Sequence, residues 1–138
     1  MFDRAEARID LDRIKSNINH LRGLSSTPVM AVVKADAYGH GLVPVAKAAL
    51  DAGASSLGVA LLEEAITLRK AGITAPILAW LVPPGSDFKL AVDNQIELAA
   101  SSIKALEEIG AVKSEFRPRV HLEVDTGMTR GGFLDEWG

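Results

Sequence analysis

The sequence predicts an α/β fold in which each strand runs parallel to the next. Strand-like apolar runs begin near residues 30, 56, 77, 96 and 119, at intervals of 26, 21, 19 and 23 residues. Each interval accommodates one strand and a crossover helix, the connection that parallel strands require. Chemically conspicuous residues also follow several of these strands, at the end where a parallel barrel keeps its reactive groups. A doubly wound sheet is the competing architecture. Regular short units favour a TIM barrel, which needs eight units and about 250 residues. This chain of 138 residues supplies about five units, so the expected architecture is an incomplete barrel occupying residues 1–138.

Each element has its own signal. Residues 7–11 alternate in polarity and read as a short strand. Leu11, Ile14, Ile18 and Leu21 then fall on one helical face, and Gly23 supplies the stop. Pro28 closes the loop before a strand over residues 30–34. A helix over residues 42–52 carries Pro44 in its first turn and Gly53 at its end. A strand over 56–60 leads to a helix over 62–71, acidic early (Glu63, Glu64) and basic late (Arg69, Lys70), as the helix dipole favours. After a strand over 77–80, Ser86 is expected to cap a short helix over 87–94. A strand over 97–100, a helix over 102–109 stopped by Gly110, and a strand over 119–124 complete the series. The last segment, "GGFLDEWG", reads as another helix.

Composition narrows the function. A net charge of −3 provides no basic field for nucleic acid or an anionic membrane. The absence of cysteine excludes disulfides, thiolate metal ligands and a cysteine nucleophile. The N-terminus is charged throughout and does not read as a signal peptide. The longest uncharged stretch, residues 71–86, is too short to span a bilayer and contains prolines and glycines. A cytoplasmic setting is expected.

Two clusters could carry chemistry. In "VVKADAYGHG", Lys34 ends an apolar strand. Such a lysine either snorkels to solvent or serves as an amine whose pKa an apolar setting lowers, suiting Schiff-base chemistry. Tyr38, four residues on, either packs over the loop or donates to a phosphate or substrate oxygen. Gly39-His40-Gly41 permits close backbone approach, yet a dinucleotide fingerprint fails at Pro44. No second histidine stands at metal-ligand spacing from His40; His20 reads as a surface residue and His121 as structural. In "HLEVDTGMTRGG", Arg130 can grip a carboxylate or phenolate or simply sit on the surface. Glu123 and Asp125 alternate onto one face of the strand. Glu123, facing the barrel, could pair with Arg130 and hold it, whereas Asp125 either points inward with it or forms only a turn.

Together, "AVVKADAYGHG" and "HLEVDTGMTRGG" closely resemble the cofactor-lysine motif and the fifth-strand arginine motif of bacterial alanine racemases. "ARIDLDRIKSNINHLR" and "LGVALLEEAITLRKAGITAPIL" resemble the opening and the next two units of that family. The resemblance implies a pyridoxal 5′-phosphate enzyme interconverting L- and D-alanine for peptidoglycan. Lys34 would carry the cofactor and act as the base on the D-alanine face. Tyr38 would bind the phosphate. Arg130 would contact the phenolate oxygen and the substrate carboxylate. Trp80 would pack on the cofactor, its alternative being plain barrel core. Glu123 stands where the family usually has a lysine, often carbamylated, and would supply the anion directly. The resemblance places the later barrel strands and a β-rich domain beyond residue 138. It takes the opposite-face base, a tyrosine, from the other subunit of a homodimer. This chain alone is therefore expected to be inactive or nearly so, and to self-associate through its uncovered sheet. The segment around Ile9 should be poorly anchored. Alternatives are a racemase of another amino acid, a non-catalytic pyridoxal-phosphate carrier, and a nucleotide-binding open sheet.

Overall fold

A computed structural model describes residues 5–134. Its five strands, β1 (Met30–Val32), β2 (Ser56–Val59), β3 (Ile77–Ala79), β4 (Glu97–Ala100) and β5 (Val120–Leu122), form one sheet in the order β1-β2-β3-β4-β5. All four pairings are parallel. The order never reverses, so the sheet has no switch point of the doubly wound kind. It is a run of adjacent barrel strands, with β1 and β5 as its edges.

The helices are α1 (Leu11–Gly23), α2 (Lys34–Gly39), α3 (Leu42–Asp51), α4 (Leu62–Lys70), α5 (Phe88–Asp93) and α6 (Ile103–Gly110). Side-chain alternation divides the sheet into two faces. Leu57 and Val59, Ile77 and Ala79, and Leu98 and Ala100 point to the helices, where they form the core with Val45 and Ala49, Ala65 and Leu68, Ala91 and Val92, and Ile109. The register brings Met30, Val32, Gly58, Leu78, Glu97, Ala99 and His121 to the other, inner face. No described helix covers β5, and its helix-side residues Val120 and Leu122 are exposed.

Arg69, near the end of α4, fastens the loops at the N-terminal edge of the sheet. Its guanidinium donates to the carbonyls of Ile73 (2.8 Å), Ala75 (2.7 Å), Asn94 (3.0 Å) and Gln95 (3.0 Å). Nearby, the buried Glu97 carboxylate faces the Arg119 guanidinium at 3.0 Å and His121 Nε2 at 2.8 Å. His121 is therefore structural, and exposed His20 lies on the surface, both as the sequence predicts.

Three local expectations are corrected. Residues 7–10 form no strand; Asp10 instead caps α1 by accepting from the Arg13 amide at 3.1 Å. Asp87, not Ser86, caps α5, because its carboxylate reaches the Leu90 amide at 2.9 Å while Ser86 Oγ turns back to the Pro83 carbonyl. In "GGFLDEWG", residues 131–134 are not helical: Phe133 forms a bridge with Val124. Residues 135–138 lie outside the described region.

Candidate active site

The Val33 amide donates to the Gly58 carbonyl at 2.8 Å, extending the β1 ladder by one residue. Lys34 thus leaves the sheet at its C-terminal edge. The next turn has the unusual hand. Ala35, Asp36, Ala37 and Tyr38 all have φ between 50° and 54°, so α2 is a single left-handed turn. This conformation costs L-residues about 1–2 kcal/mol each. Consecutive non-glycine residues adopt it only where their surroundings hold them, and such strain collects at functional sites.

The restraints are visible. The Ala37 amide donates to the Val33 carbonyl (2.9 Å) and the Gly41 amide to the Asp36 carbonyl (3.0 Å). Asp36 Oδ1 accepts from the Leu42 amide at 2.6 Å, tying the turn to α3. The Ala35 amide donates to Glu64 Oε1 at 2.5 Å, tying it to α4. His40 Nδ1 lies 2.8 Å from the Ala37 carbonyl and so belongs to the turn.

The turn brings Lys34 Nζ to 5.8 Å from the Tyr38 ring centroid, and Trp80 stands equally close on the other strand end. Lys34 and Trp80 are half-buried; Tyr38 is exposed. Trp80 follows β3, and its amide donates to the Val59 carbonyl at 3.3 Å. Its indole lies over Gly58 on β2. A Cβ built on Gly58 would stand 2.8 Å from Trp80 Cζ3 and 3.1 Å from Met30 Sδ. Gly58 is therefore the space that admits the indole. Its sequence signal is a lone glycine inside an apolar strand, which marks close approach of another group.

The second cluster follows β5. The Glu123 amide donates to the Ala100 carbonyl at 2.9 Å. The chain then loops through Arg130 and returns, so that the Phe133 amide meets the Glu123 carbonyl (2.8 Å) and the Asp125 amide meets the Phe133 carbonyl (3.0 Å). Gly132 makes the return possible. Its φ is +102°, and a Cβ there would stand 2.7 Å from the Asp125 nitrogen and 2.9 Å from the Val124 carbonyl carbon.

Asp125 is the turn-former of the two readings. Its Oδ1 accepts from the Thr129 amide (3.0 Å) and the Gly127 amide (2.8 Å). Those bonds, the Thr129 one foremost, hold its carboxyl below the usual carboxylate range. The Glu123–Arg130 ion pair does not form. Arg130 is exposed, and among the described residues no ion pair joins the two. The loop wraps around Asp125 instead, and half-buried Glu123 lies beside it, with Oε1 3.7 Å from where a Gly131 Cβ would sit.

Lys34, Tyr38, Trp80, Glu123 and Arg130 thus all lie at the C-terminal ends of β1, β3 and β5, one edge of one sheet. Chemically, this edge offers an amine, a phenol, an indole face, a carboxylate and a guanidinium. Among the described residues no group of three acidic, histidine or cysteine side chains could hold a metal, and no helix is long and apolar enough to cross a membrane.

A family model described as "Alanine racemase, N-terminal domain" matches residues 9–137. The alanine racemase of Salinispora tropica is 52% identical over 136 residues, which make up 96% of this chain and 37% of that protein. That of Mycolicibacterium smegmatis is 53% identical over 131 residues, 93% of this chain and 34% of the relative. Among solved structures, the alanine racemase of D-cycloserine-producing Streptomyces lavendulae superposes with a TM-score of 0.83 at 42% identity, covering 90% of this chain and 33% of that one. The Corynebacterium glutamicum alanine racemase gives 0.85 at 39% identity, with 91% and 36% covered. The chain therefore spans little more than a third of the length of the curated relatives it matches.

Proposed function

The chain belongs to the alanine racemase N-terminal domain family, and from that membership we propose that residues 1–138 form the lysine-bearing barrel portion of a pyridoxal-phosphate-dependent alanine racemase. The parent enzyme interconverts L- and D-alanine in the cytoplasm and supplies D-alanine for peptidoglycan. The observation that carries the reading is the Lys34 amine, which lies at the C-terminal edge of the sheet 5.8 Å from the rings of both Tyr38 and Trp80.

The residues present suit pyridoxal 5′-phosphate. The Lys34 amine makes no ion pair among the described residues, and Gly58 leaves room for the adjoining indole. When bound, the cofactor supplies the electron sink that makes an amino acid α-proton removable. Lys34 would hold it covalently, and its amine would accept or return the α-proton on one face. Tyr38 would donate its hydroxyl to the phosphate, and Trp80 would pack an apolar face against the cofactor. Arg130 would offer its guanidinium to the phenolate oxygen and the substrate carboxylate. Glu123 lies beside the Arg130 loop and supports it.

Inversion of the α-carbon requires a proton group on each face. Tyr38 is the only tyrosine and already serves the phosphate. The second group is assigned to the remainder of the parent, contributed across the interface of a homodimer. On this reading the 138-residue chain alone is inactive or nearly so. It also self-associates through the uncovered β1 and β5 edges; a monodisperse monomer in light scattering, with cooperative unfolding, would contradict this.

The cofactor assignment is tested by adding pyridoxal 5′-phosphate, reducing with borohydride and mapping the adducts by mass spectrometry. The expected result is modification concentrated on Lys34 and abolished in Lys34→Ala. Adducts spread evenly over Lys34, Lys47 and Lys70 would overturn the assignment.

A further inference from the structure

Glu64 is the third residue of α4, in the β/α unit that follows the one bearing Lys34. Its carboxylate accepts three backbone amides. Oε2 takes those of Ala60 and Leu61, both at 3.0 Å, and Oε1 takes that of Ala35 at 2.5 Å. The first two bonds cap α4, whose N-cap residue Leu61 has no side-chain acceptor. The third bond has no role in the helix. Ala35 is adjacent to Lys34 and is the first of the four left-handed residues. Little in the local sequence favours that hand, since alanine, aspartate, alanine and tyrosine all carry a Cβ that disfavours it. The far end of the turn is held by Asp36 on the Leu42 amide; the end that aims the amine is held by Glu64.

We propose that Glu64 is a positioning residue for Lys34, its carboxylate holding Ala35 in the left-handed conformation that directs the Lys34 amine between the Tyr38 and Trp80 rings. The inference rests on Lys34 being the cofactor-bearing group. Its geometric half is independent of that reading. A carboxylate is required because both oxygens are used as acceptors; glutamine would present an N–H₂ donor to an N–H donor on one side.

The test uses the 138-residue chain and four variants: Glu64→Gln, Glu64→Asp, Glu63→Gln, and Glu64→Gln combined with Ala35→Gly. Two quantities are read. One is amide hydrogen exchange at Ala35. The other is the ratio of borohydride-fixed pyridoxal 5′-phosphate adduct on Lys34 to that on Lys47, which lies on α3. In Glu64→Gln, exchange at Ala35 should rise about tenfold or more, the effect of losing one charge-assisted hydrogen bond. The adduct ratio should fall several-fold. Glu63→Gln, at an exposed side chain one residue away, should change neither. Glycine at position 35 adopts the left-handed conformation unaided, so the double variant should recover much of the adduct ratio.

Unchanged Ala35 exchange in Glu64→Gln, or an equal loss of adduct with Ala35→Gly present, would overturn the proposal. If Glu64→Gln does not fold, Glu64→Asp keeps the charge with a shorter reach and is read in the same way. If the unaltered chain takes no cofactor on Lys34, the functional reading fails, and exchange at Ala35 alone decides whether Glu64 holds the turn.

Discussion

Gly58→Ala adds one methyl group where Trp80 Cζ3 would be 2.8 Å away, Met30 Sδ 3.1 Å and Trp80 Cη2 3.4 Å. Carbon atoms settle at about 3.5–4.0 Å, so the indole edge must move by roughly 0.7 Å or more. Overpacking of a filled site costs about 1–3 kcal/mol. Replacing glycine by alanine inside an element returns about 0.5–1 kcal/mol of backbone entropy. Because Trp80 is only half-buried, its ring can tilt toward the open inner face, which puts the strain at the low end. The net expectation is a loss of no more than about 0.5 kcal/mol in urea unfolding, a changed Trp80 emission read in a Trp137→Phe background, and less cofactor adduct on Lys34. Gly58→Val, with two more methyl groups, should cost about 2–3 kcal/mol. If Gly58→Ala instead stabilised the chain by the entropy term alone and left Trp80 emission unchanged, the claim that Gly58 makes room for the indole would be refuted.

Arg69→Lys should lower stability by about 2–3 kcal/mol in urea unfolding, because an ammonium cannot span four carbonyls arranged for a planar fork. Gly132→Ala should break the return of the Arg130 loop, since the added carbon meets backbone atoms that cannot yield; faster tryptic cleavage after Arg130 and lost exchange protection at the Asp125 amide are the readouts. The Asp125 carboxyl is depressed by the Thr129 and Gly127 amides. Its contribution to loop order is accordingly full above the ordinary carboxylate value of about 3.9 and is lost as pH falls through the lower folded value. An NMR titration of the Thr129 and Gly127 amide shifts should show one common transition below that value. A transition at or above it would contradict the assignment.

The architecture is legible because each unit announces itself locally. Apolar strands, amphipathic helices and terminal glycines at Gly23, Gly53 and Gly72 locate the elements within a few residues. The misreadings occur where two local signals compete. Residues 7–11 alternate like a strand, but Asp10 is also a good N-cap and the helix claims it. Ser86 and Asp87 are both cap residues, and the carboxylate one position later reaches the Leu90 amide. In the candidate site, Lys34 and Arg130 stand out by their position after strands, whereas the parts that arrange them do not. The left-handed hand of Ala35 to Tyr38 is held by nearby backbone and Asp36 bonds together with Glu64, 29 residues away, and no pattern in "KADAY" encodes it. Glu64 reads as an ordinary acidic residue in a first helical turn; only the fold shows its third amide. The expected Glu123–Arg130 pair failed for a related reason. Spacing along a strand indicates the face a side chain leaves from, but not that the loop will curl around Asp125.

The bond from Ala35 to Glu64 spans 29 residues of chain, and this has a consequence for biosynthesis. Translation delivers the amine of Lys34 long before the carboxylate that holds its turn. Until β2 and the first turn of α4 have been made and folded, Ala35 lacks its bond to Glu64. On the proposed role of Glu64, a nascent chain that ends before residue 64 has the lysine without its aim, and selective capture of an aldehyde waits for the second β/α unit to emerge and dock.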